Sequence, residues 1–134
     1  MDAPFRKEWI RAALLVGAVY FLIGIVFANL VHGWRLAAWL VSGVAYVAHI
    51  WFEHFRLRNS PRSAALHVAA AVAIGAFGLA VAAMIHSLST ASTIRPAWLL
   101  ALVAWPALTA LPAFLVALVA GAILSRRSRS ADAE

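Results

Sequence analysis

The sequence predicts an all-α integral membrane protein, a four-helix up-down bundle with its N and C termini both in the cytoplasm. Three observations predict it. Of 134 residues 65% are apolar and only 12% charged, against about 25% charged in ordinary soluble domains. Four stretches are long enough to supply the roughly 20 apolar residues that one bilayer crossing needs. The basic residues outside those stretches alternate in number along the chain.

The first helix is expected at about 12–31, broken in its apolar character only by Tyr20 and Asn29. Arg6, Lys7 and Arg11 precede it as basic residues precede a cleaved leader. Its apolar run exceeds the roughly 7–15 residues of a leader and no small-x-small site closes it, so it reads as a membrane helix. The second is expected at about 36–52. The third, 64–85, is dominated by Ala, and Asn59, Ser60 and Pro61 before it supply an N-cap candidate and a proline suited to the first helical position. The fourth, 97–124, starts after Pro96 and contains Pro106 and Pro112, so it should tilt, kink or project. Thr109, between those prolines, is placed to satisfy carbonyls that a kink frees. Residues 87–93 are rich in Ser and Thr and read as a solvated turn. Together these elements make one transmembrane domain over 1–134.

Orientation follows from the basic residues. Counted by segment they run 3, 1, 3, 1, 3: Arg6, Lys7 and Arg11; Arg35; Arg56, Arg58 and Arg62; Arg95; Arg126, Arg127 and Arg129. Cytoplasmic segments retain the excess, so both tails and the middle loop are expected inside. Trp9, Trp34, Trp39, Trp51 and Trp98 lie near expected helix ends, where an indole keeps its N–H wet, while Trp105 reads as a deeper packing residue. Ten arginines against one lysine, with abundant alanine, are associated with GC-rich bacterial genomes, which suggests a bacterial inner membrane.

Packing is expected through small residues, since lipid tails are as apolar as the side chains they would replace. Ala71 and Gly75, Gly78 and Ala82, and Ala65, Ala69 and Ala73 mark the third helix for the bundle centre or a dimer contact. Ala13, Gly17, Gly24 and Ala28 do the same on the first.

Several functions are excluded outright. Without cysteine there is no disulfide framework, thiolate metal site or thiol catalysis. A sequence pI of 11.4 does not imply nucleic-acid binding here, because the orientation rule accounts for the basic residues. No G-x-S-x-G or phosphate-binding glycine loop occurs, so no enzyme class is indicated.

One polar constellation stands out. Ser42, Tyr46, His49 and Glu53 are spaced by four, three and four residues, which places them along one face of the second helix. Glu53 is the only acidic residue between Glu8 and Asp132; His54 adjoins it, and His67 enters the third helix at a similar depth. The plainest expectation is a satisfied pair of Glu53 with Arg56 or a tail arginine, with His49 and Tyr46 bonding each other or backbone. The protein is then a non-enzymatic accessory or homo-oligomeric subunit. The alternative is a proton-coupled transporter or channel using His49 and Glu53. A weaker one is a b-type haem held by His49 and His67; otherwise no metal or cofactor is indicated. Arg56, Arg58 and Arg62 offer a lipid-headgroup or partner surface, although three basic residues fall short of the usual lipid-specific cluster.

Overall fold

The computed structural model describes residues 3–28, 35–91 and 96–131, and side chains within 8–27, 36–90 and 96–126. The described residues are all-helical: α1 (Ala3–Ala28), α2 (Arg35–Trp51), a π-helical turn (Phe52–Arg56), α3 (Pro61–Ala91) and α4 (Pro96–Ala131). All four regions expected to cross a membrane are helical, long enough and apolar enough to do so. Asn29, His32, Trp34, Thr93 and Arg95 lie outside the described residues, as does the expected end of the first helix at 29–31.

Helices α1, α3 and α4 are each longer than the apolar stretch expected for them. Helix α1 begins at Ala3 rather than near residue 12, and α4 runs on to Ala131 rather than stopping near 124. Hydropathy marks the part of a helix that suits lipid, and polar residues extend it at either end. The expected turn over 87–93 is corrected in the same way, since Ser87–Ala91 are the last turn of α3. Ser89 Oγ and Thr90 Oγ1 donate to the His86 carbonyl at 2.7 and 3.0 Å. Hydroxyl-rich sequence thus supplies donors to helix carbonyls here instead of breaking the helix.

The start of α3 follows the expected chemistry. Pro61 opens the helix and Ser60 is its cap: the Ser63 N–H donates to Ser60 Oγ at 3.3 Å. In α4 both prolines lie within a continuous helix. Thr109 Oγ1 donates to the carbonyls of Trp105 and Pro106 at 2.9 and 3.1 Å. Those are not the carbonyls that the prolines leave without a donor, which by helix geometry belong to Leu102 and Leu108. Thr109 therefore bonds back to its own turn rather than repairing the proline sites.

Helix α3 is the shared element, packing closely against α4 on one side and α1 on the other, while α2 touches its neighbours sparsely. Small residues make the close contact with α1. A Cβ added at Gly75 would lie 2.6 Å from the Tyr20 Cβ and 3.0 Å from the Gly17 carbonyl oxygen. One added at Gly78 would meet the Phe21 ring at 2.7 Å. At one end of the bundle Ile50, Ala65, Val68 and Ala117 are buried together, flanked by Tyr46, Phe114 and Leu124. Elsewhere large apolar side chains such as Leu36, Leu100 and Val103 are about 70% exposed.

Gly75→Ala should destabilise the bundle by about 1–3 kcal/mol, because the Tyr20 Cβ and the Gly17 carbonyl, neither of them a flexible tip, block the new methyl. Gly43→Ala, where an added Cβ meets nothing within 4 Å, should be neutral or stabilising by up to about 1 kcal/mol through helix propensity. Unfolding in one detergent with wild type as reference measures both; equal effects would contradict the packing described.

Candidate functional site

The end of α2 does not close as an ordinary α-helix. The Leu57 N–H reaches the Phe52 carbonyl at 3.2 Å, five residues back, which is the π pattern. Arg58 then takes φ of 50°, the left-handed region that a side chain other than Gly or Asn seldom adopts. That reversal swings Asn59 back over the turn. Its N–H donates to the Glu53 carbonyl at 3.3 Å. Its side-chain Nδ2 donates to Glu53 Oε2 at 2.6 Å.

Glu53 is wholly buried, with 0% exposure. Its Oε2 also lies 3.0 Å from His67 Nδ1 on α3. An ionised carboxylate only accepts, so this geometry puts a proton on Nδ1. Asn59 Nδ2 and His67 Nδ1 stand 3.4 Å apart as two donors converging on one oxygen. On the other side His49 Nε2 is 3.6 Å from Glu53 Oε1, close enough for charge but too long for a hydrogen bond. Glu53 Oε1 and both ring nitrogens of His49 have no hydrogen-bond partner among the described residues. The indole of Trp9 on α1 lies flat on the His67 ring, with centroids 4.5 Å apart and planes 3° from parallel. Three helices and one loop residue therefore meet at a single carboxylate.

The structure divides the residues expected to act together. His49, Glu53 and His67 converge. Tyr46 does not bond His49: its hydroxyl donates to the Ala113 carbonyl on α4. Ser42 and Tyr46 instead line a cavity toward the other end of α2, with Tyr20, Trp39 and Trp105. Trp105, expected as a packing residue, is 52% exposed and borders that cavity. His54 is half-buried and set edge-on to Phe55, away from the carboxylate. Arg56, Arg58 and Arg62 are exposed, and among the described residues the basic side chains within 4 Å of the Glu53 carboxylate are the two imidazoles and not these arginines. The expected pairing with Arg56 is corrected accordingly, since the turn that buries Glu53 leaves Arg56 on the outside; the tail arginines Arg6, Arg127 and Arg129 lie outside the described side chains. Both imidazoles offered as haem or metal ligands lie against this carboxylate, and among the described residues no group of three or more ligating side chains is placed to hold a metal ion.

Sequence reasoning missed Asn59 and Trp9. An Asn just past a helix end is a recognised C-terminal capping signal, and it was available for Asn59. No spacing rule connects Trp9 with His67. No known family, curated protein or solved structure matches the chain.

Removing Glu53 strands the donors of Asn59 and His67 in a buried site. Glu53→Ala should destabilise by about 3 kcal/mol, and Asn59→Ala, which removes one donor, by about 1–2 kcal/mol. Arg58→Val, a β-branched residue at φ of 50°, should cost about 1 kcal/mol more than Arg58→Gly does. Thermal melts of the four variants check the order, which a solvated Glu53 would not give.

Proposed function

We propose that the chain is a four-pass protein of a bacterial cytoplasmic membrane, an up-down bundle with both tails and the turn around Arg58 on the cytoplasmic side. It serves there as a non-enzymatic subunit of a homo-oligomer or a larger membrane complex. The observation that carries this reading is the pairing of four apolar spans with large apolar side chains left exposed on every helix. Surface of that kind requires lipid or another apolar partner. The alternation of basic residues supports the orientation. A non-enzymatic role is supported by the polar cluster itself, since Asn59, His67 and Glu53 are turned on one another beneath Trp9 rather than toward an opening.

The chain has no native cysteine, so single cysteines report topology without background. Arg58→Cys should react with an impermeant maleimide only after the membrane is opened, and Ser89→Cys in intact cells. Reaction of both from one side would overturn the arrangement.

A second reading, proton movement, is favoured by one observation: among the described residues Glu53 Oε1 and both His49 nitrogens are buried without a hydrogen-bond partner, and a histidine beside a carboxylate can take up and release a proton near neutral pH. On this reading, proteoliposomes given a pH step equilibrate faster with wild type than with Glu53→Gln. Equal rates remove the carboxylate from any proton path.

A further inference from the structure

The cavity lined by Ser42 and Tyr46 has no part in the cluster around Glu53. Its volume is about 470 Å³ and all four helices contribute to it, a size that suits a small organic ligand. Among the described residues no acidic, basic or histidine side chain lines it. Most of its wall is apolar, and the hydroxyl-bearing residues that border it are Tyr20, Ser42, Tyr46 and Thr109.

Two of those hydroxyls are already engaged: Tyr46 donates to Ala113 and Thr109 to its own helix. Tyr20 differs. Its hydroxyl is withdrawn from the surface and has no partner among the described residues, a state that disfavours the empty site until an acceptor arrives. Trp39 and Trp105, 79% and 52% exposed, add two indole faces to the wall. Gly43 leaves part of that wall open, since a Cβ there meets nothing within 4 Å.

We propose that this cavity binds a neutral, membrane-soluble molecule with a flat, carbonyl-bearing ring and a hydrocarbon tail, of the quinone class. The indoles offer aromatic faces to the ring. With a turn of its phenol, Tyr20 donates its unpaired O–H to the ring carbonyl, and the apolar wall takes the tail. A saturated acyl chain would leave that hydroxyl unpaired. A charged headgroup would find no counter-charge among the described lining residues. The inference rests on the membrane-spanning reading, because a molecule dissolved in the bilayer is what reaches such a site.

The test is a titration of the purified full chain, at fixed detergent, with decylubiquinone as the probe and tryptophan fluorescence as the readout. Wild type should show saturable quenching. Tyr20→Phe should weaken the apparent affinity about tenfold by loss of one buried hydrogen bond. Gly43→Leu, whose Cβ meets nothing within 4 Å and whose side chain would occupy the open wall, should abolish saturation while it melts no lower than wild type. Linear, unsaturable quenching of wild type overturns the proposal, as does undiminished affinity in a folded Gly43→Leu. So does a brominated phospholipid whose quenching falls in Gly43→Leu when decylubiquinone never saturates, since the occupant is then an acyl chain. The titration is carried out in detergent and does not depend on orientation, so its failure is distinct from failure of the cysteine-labelling test.

Discussion

A carboxylate taken wholly out of solvent has to be met by donors, and Glu53 obtains them from outside its own helix. Asn59 comes from the turn that follows and His67 from α3, with Trp9 of α1 laid over the imidazole. Helix α2 has few other ties. It contacts the remaining helices sparsely, and the Tyr46 bond to Ala113 is a further hydrogen bond that crosses from it to another element. The cluster is thus the fastening of the most weakly packed helix. Breaking it costs more than its few bonds suggest, because loss of one partner leaves the others unpaired in a buried site.

The position of that fastening explains the shape of the rest. At the cluster end, Ile50 packs with Ala65, Val68 and Ala117, small residues that let α3 and α4 come close. Toward the other end α2 carries Gly43, Ser42 and Ala38 on the side facing the bundle, and these are too short to fill the space opposite Val72, Ala76 and Leu79. The cavity lies there. Helices α1 and α3 meet through glycines along their length, Gly17, Gly24, Gly75 and Gly78, and a cavity of about 510 Å³ opens beside that seam, bordered by Leu14, Phe21 and Phe77.

How much of this was legible in the sequence divides along the same physical lines. Helix spans were legible because composition over about twenty residues decides them, and the start of α3 because Ser60 and Pro61 act locally. The small-residue faces of α1 and α3 were legible from spacing alone. The pairing of Glu53 with Asn59 was not. Six residues apart on a continuing α-helix means a rotation of about 240°, pointing the two away from each other. Only the π turn and the left-handed Arg58 bring them together, and arginine gives no sign of taking that conformation. Trp9 and His67 lie far apart in sequence, so their stacking depends on how α1 sits against α3, which no local pattern encodes.

A buried polar cluster is a poor way to gain stability, since well-packed apolar residues often do as well or better. Its advantage lies in direction. An apolar residue at position 53 would hold α2 against α3 over a range of rotations about its axis. A carboxylate that must face both Asn59 and His67 admits far fewer. Because Ser42 and Tyr46 share the helical face of His49 and Glu53, fixing that rotation at one end of α2 also fixes which residues the helix turns toward the cavity at the other. The stripe read as one site in the sequence is therefore two, joined by the helix itself. Its lower half sets the angle, and its upper half presents the hydroxyls that the angle selects.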